Sequence, residues 1–146
     1  MTWPVNGGMQ AYGSLVSAGS REVLAPDEIR LLTEVGFLAA AKGDLPRAEA
    51  IFGALRQVRP GRLFPSLGIA VARMNAGRAA DAAGLLEKAA CADADEQAIR
   101  DTWRGLALQL AGQTAQSRHV LQQAVSEHGA NATFAHGLLG LDGHMS

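Results

Sequence analysis

At 146 residues the chain is one domain's worth, long enough to bury a core without disulfides or a metal. Its 13 basic and 14 acidic residues leave a net charge of −1, and no Lys/Arg block stands out. That balance gives no electrostatic case for nucleic acid or for an anionic membrane surface. The apolar share is 48%, mostly Ala and Leu, against 5% aromatic. Ala and Leu favour helix and lack the branching and rings that strands prefer, so the expected fold class is all-α.

Residues 1–24 are rich in Gly, Ser and Asn without a helical period, which reads as a flexible N-terminal arm. The same stretch has no positive n-region and no long apolar h-region, arguing against a secretory leader. No apolar run approaches the ~18 residues of a membrane span. The lone Cys91 cannot pair internally, which suits a reducing compartment, and a cytoplasmic location is expected. The first helix signal is Pro26-Asp27-Glu28, a proline for the opening turn and two acids for the positive end of the dipole.

From Ile29 onward the chain repeats. The turns Lys42-Gly43-Asp44, Ala76-Gly77-Arg78 and Ala111-Gly112-Gln113 place glycines 34 and 35 residues apart, each between two Ala/Leu-rich amphipathic stretches. A left-handed helix C-cap is expected at each glycine. This helix–turn–helix period resembles the tetratricopeptide repeat, and further positions fall into line. The first repeat, about 29–62, carries Leu32, Val35-Gly36, Ala39, Gly43, Ala48, Phe52, Leu55 and Pro60. The second, about 63–97, carries Ile69-Ala70, Gly77, Ala82, Leu86 and Ala89, closing on Ala94 instead of Pro. The third, about 98–131, carries Gly105, Gly112, Leu121 and Ala124, with Ser117 in the alanine slot and Gly129 at the close. A capping helix is predicted over about 132–141, so that 25–146 form the domain.

Gly36, Ala48, Ala70, Ala82 and Gly105 are predicted where helices cross, because only small side chains admit so close an approach. Phe52, Leu55, Leu86 and Leu121 are predicted to fill the space between successive pairs. Stacked in this way, the repeats share one elongated core and wind into a superhelix with a concave groove. In the resembling fold the first helix of each pair lines that groove. The corresponding positions are Arg30, Thr33, Phe37, Ala40 and Ala41; Phe64, Leu67, Val71, Met74 and Asn75; and Ile99, Thr102, Leu106, Gln109 and Leu110. The candidate partner contacts are Phe37, Phe64, Leu67, Val71, Met74, Ile99, Leu106 and Leu110, an apolar strip of the kind that marks an interaction site. Arg30 and Asn75 are too few to clamp a peptide carboxylate, so an amphipathic helix or extended apolar segment is the expected ligand.

Other residues that could carry chemistry read as structural. His119, His128, His136 and His144 are spaced too widely for a metal-ligand motif, and no second Cys exists. Cys91 reads as a small packing residue and Trp103 as a packing residue between core and groove. Asp93, Asp95 and Glu96 read as a solvated turn that helps to start the next helix. The glycines form no phosphate-binding pattern. No cofactor is expected, no catalytic constellation is present, and the chain reads as a binding module and not as an enzyme.

The block GDLPRAEAIFGALRQVRP at 43–60, the three-repeat length and the apolar strip together resemble the small tetratricopeptide chaperones of bacterial type III secretion systems. That resemblance implies a cytoplasmic chaperone that holds an aggregation-prone secretion substrate, such as a needle subunit, a translocator or a small export component. The alternative is a scaffold or adaptor that assembles a complex or self-associates into a homo-oligomer.

Overall fold

A computed structural model describes residues 24–128 and 138–139, and six helices account for most of them. They are α1 (Pro26–Ala41), α2 (Leu45–Val58), α3 (Phe64–Asn75), α4 (Ala79–Glu87), α5 (Ala94–Leu110) and α6 (Thr114–His128). Among the described residues there is no strand, and the all-α expectation holds. None of these helices is long and apolar enough to cross a membrane.

The helices pair as α1–α2, α3–α4 and α5–α6, each joined by one of the three glycine turns. Gly43, Gly77 and Gly112 have φ of 68°, 81° and 83°, the left-handed cap that the sequence predicts. Each turn makes the same two hydrogen bonds. The glycine N–H donates to Ala40, Met74 or Gln109, and the following N–H donates to Ala39, Arg73 or Leu108. Carbonyls that the helix end would orphan are thereby satisfied three times over by one geometry. Around Gly77 and Gly112 an added Cβ would meet nothing within 4 Å. Alanine there strains only the backbone, so Gly77→Ala and Gly112→Ala should each cost about 1–2 kcal/mol in urea unfolding. A loss below a few tenths would place the turns elsewhere.

Packing runs along the chain. Each helix lies against the next, α1 also packs on α3, and α3 touches α5 more lightly. A first core cluster joins Ile29, Ala39 and Ala40 of α1 to Ile51, Phe52, Leu55 and Val58 of α2 and to Ile69 and Ala72 of α3. A second gathers Leu63, Ala70, Ala82, Ala83 and Leu86 with Ala107, Leu108 and Val120. A third closes the far end, where Leu121 and Ala124 meet Leu138.

The predicted crossing residues are buried, with Ala48, Ala70 and Ala82 at zero exposure. A Cβ on Gly36 would lie 2.7 Å from Phe52 Cζ, and one on Gly105 would lie 2.5 Å from Leu121 Cγ. The predicted space-fillers Phe52, Leu55 and Leu86 are fully enclosed, and Leu121 is nearly so. Gly68 is a further crossing residue that the signature does not include. A Cβ there would fall inside the contact shell of the Phe52 ring, so this ring sits between Gly36 and Gly68 and seats α2 against two helices at once. In the third hairpin Ser117 takes the alanine slot because its hydroxyl donates to the Gly105 carbonyl at 2.7 Å, and among the described residues no buried side-chain nitrogen or oxygen is without a partner.

Leu24, read from sequence as the last residue of the arm, is buried in the first cluster. Residues 1–23 lie outside the described residues. So does the predicted capping helix, apart from Leu138 and Leu139, which are helical.

Candidate functional site

The first helices α1, α3 and α5 lie side by side, and the eight candidate contacts are distributed over them. Phe37, Phe64, Leu67, Val71, Met74 and Leu106 are half-buried, their inner sides packed on the core clusters. Ile99 and Leu110 are open, at 43% and 61% exposure. The inner edge of Phe37 meets Phe52 in an edge-to-face contact, with ring centroids 4.9 Å apart. Such a contact fixes the ring while leaving its other edge accessible.

Two other strip positions are not available to a ligand. Ala40 has zero exposure and Thr102 only 4%, its hydroxyl bonded to the Ala98 carbonyl. Both point into the core because the apolar stripe of each helix is wider than the signature allows, which corrects the sequence reading. Asn75 spends its amide on the Ala40 carbonyl at 2.9 Å, tying the end of α3 to the end of α1. Thr33 donates to Ile29 within its own helix, and Arg30 pairs with Glu34 on the surface.

Three of the eight contacts converge. Phe64, Leu67 and Ile99 line a depression of about 340 Å³ between the N-terminal ends of α3 and α5, together with Arg62, Leu63, Asp93, Asp95 and Glu96. Phe64, Leu67 and Ile99 belong to neighbouring helices, and the charges come from the connections before them and from the first turn of α5. A second recess, about 470 Å³, lies at the opposite helix ends and contains Leu110 with Gly77, Arg78 and Asp81. The strip therefore has a hollow at each end.

The first hollow owes its shape to Glu96. The sequence reading left this residue in a solvated turn, whereas the structure buries it at 9% exposure. Its carboxylate accepts from Leu63 N–H at 2.8 Å, from Ala92 N–H at 3.1 Å and from Arg62 Nε at 2.6 Å. Its own N–H donates to Asp93 Oδ1 at 2.9 Å, and Asp93 caps α5 as expected. The start of α3, which has no side-chain cap of its own, thus borrows one from α5. Burial alone would raise the Glu96 pKa, but the Ala92 and Leu63 N–H groups and the Arg62 guanidinium outweigh it, and the carboxyl is held below its usual range. The signal was legible in Asp93-x-x-Glu96, the spacing of a reciprocal N-terminal cap. Only the tertiary structure adds the bond to Leu63.

Cys91 is half-buried against the second cluster in the connection before α5, with Sγ 3.9 Å from the Ala89 carbonyl. Burial pushes its thiol pKa up, so it stays protonated at neutral pH. Trp103 packs on the same cluster. His119 is exposed on α6. Among the described residues no three His, Cys, Asp or Glu side chains converge as metal ligands do. No protein-family model, curated protein or solved structure matches this chain.

Proposed function

We propose that the three hairpins are tetratricopeptide-type repeats and that the chain is a chaperone for an apolar or amphipathic helix of another protein. The observation that carries this reading is the partly open apolar strip on α1, α3 and α5, ending in the hollow lined by Phe64, Leu67 and Ile99. The 34- and 35-residue spacing of three turns with one geometry supports the repeat. An amphipathic helix laid along such a strip would place a side chain in the hollow and cover the rest of its apolar face. Half-buried contacts fixed from behind by the core lose little freedom on binding, which favours a preformed surface. The resemblance of residues 43–60 to the type III secretion chaperones narrows the proposed partner to a secretion substrate or small export component, held in the cytoplasm until export. A scaffold that works through its outer surface or through self-association is the alternative.

Ile99→Asp combined with Leu110→Asp tests the reading. Both side chains are open, so helicity by circular dichroism should stay at the parental level. A protein captured by the parental chain from its native cytoplasm should be lost from the variant, because each new carboxylate would be buried against an apolar ligand. Capture at the parental level, with helicity intact, moves the site off this strip and favours the scaffold.

A further inference from the structure

The two hollows that end the strip differ in charge. In the recess around Leu110, Arg78 and Asp81 stand 4.0 Å apart and offset each other. The hollow at the starts of α3 and α5 is lined by three carboxylates, Asp93, Asp95 and Glu96, against the guanidinium of Arg62. Arg62 and Glu96 form a neutral pair at 2.6 Å, so the excess of negative charge lies on Asp93 and Asp95, both exposed. The two helix starts return about +0.5 each, which leaves this hollow about one charge negative. Its acidic rim stands beside apolar surface. Asp95 and Ile99 are one turn apart on the same face of α5, and Phe64 and Leu67 line the hollow from α3.

We infer that this hollow takes the basic end of the partner helix, with an apolar side chain against Phe64, Leu67 and Ile99 and a Lys or Arg one turn away on Asp93 and Asp95. Resting on the strip as the binding face proposed above, this gives the ligand a direction. Its basic end lies over the starts of α3 and α5, and an uncharged end lies in the neutral recess at Leu110. A lysine or arginine suits both parts of the hollow, because its stem lies along apolar surface while its charged head reaches the rim. An acidic helix end, a nucleic-acid backbone or an anionic lipid surface would meet charge of its own sign there. Because the rim carboxylates are exposed, their pull is modest and sensitive to salt, and it sets the direction of the ligand more than its affinity.

Two synthetic peptides of about 18 residues, each with leucines at i, i+3, i+4 and i+7 and a glutamine polar face, test this by fluorescence anisotropy. One carries two lysines a turn beyond its last leucine, and the other has glutamines there. The lysine peptide should bind the parental chain at least about threefold more tightly at about 20 mM salt, and the margin should vanish at about 0.5 M. Asp93→Asn with Asp95→Asn removes the excess charge, and asparagine still serves as the cap of α5. Both peptides should bind that variant, and equally well. Should the pair lose helicity, Asp95→Asn alone should cut the lysine margin by at least about half. Equal binding of the two peptides to the parental chain would overturn the inference while leaving the strip as the site. So would a lysine margin that survives the rim substitutions or about 0.5 M salt. If neither peptide binds, the strip itself fails as the site, and the inference with it.

Discussion

Gly68→Ala is expected to destabilise the protein by about 1–3 kcal/mol, although alanine is the better helix former by roughly 1 kcal/mol. The Phe52 ring fills the space into which the new methyl would project, and at zero exposure it has nowhere to swing. Either α3 moves off α2 or the ring leaves its rotamer, and Gly36 on the other side blocks the second escape. The midpoint of thermal unfolding should fall by some 5–10 °C. Gly53→Ala is the control, since it lies on α2 next to Phe52 with nothing within 4 Å of its would-be Cβ, and it should be neutral or stabilising. Phe52→Leu should rescue Gly68→Ala in part, leaving a coupling above about 0.5 kcal/mol in a double-mutant cycle. Additive losses would mean that ring and glycine do not meet.

Glu96→Ala should cost about 2–3 kcal/mol, because it strands the buried Leu63 N–H and the part-buried Ala92 N–H that the carboxylate satisfies. The Arg62 contribution is smaller, as that side chain is more than half exposed. Glu96→Gln keeps one acceptor but loses the charge, and it should fall between the parent and alanine. The pH dependence follows from the lowered pKa of the folded state. A carboxyl that holds its proton less tightly when folded stabilises the fold fully above its unfolded value, near ~4.3. The stabilisation drains away as pH falls through the lower folded value. Urea midpoints of parent and Glu96→Gln should therefore stand furthest apart at pH 6–7 and converge below about pH 4. A gap that stays constant across that range would mean that the charge of Glu96 does not matter.

How far the sequence could be read depended on whether a residue's role is local. The turns at Gly43, Gly77 and Gly112 were legible because a left-handed cap needs glycine wherever it occurs, and the period repeats it. Phe52, Leu55, Leu86 and Leu121 were legible for the same reason, as large apolar residues at fixed offsets from those turns. Gly68 was not. Its smallness answers to a ring 16 residues earlier, and no repeat position calls for it. The burial of Glu96 depends on an amide 33 residues away. At the candidate site, all eight residues of the strip are half-buried or open. The pocketing of Phe64, Leu67 and Ile99 could not be read, because it depends on how two helix starts are offset. Ala40 and Thr102 show the converse, where a shift of one residue in phase separates a lining position from the interior.

The two seams of the stack are made of different materials. Between the first and second hairpins the joint is a phenyl ring clasped by Gly36 and Gly68, so its strength follows apolar hydration and weakens on cooling. Between the second and third, alanines share the contact with leucines and a valine, and a carboxylate with three donors adds a polar lock. Its strength follows proton activity. In a linear array each unit is held only by its neighbours, so a weakened seam releases everything beyond it without dissolving the rest. Acid should thus free the last hairpin from an intact first pair, while cold should loosen the first hairpin from an intact second pair. One chain would then come apart from opposite ends, according to which solvent variable is changed.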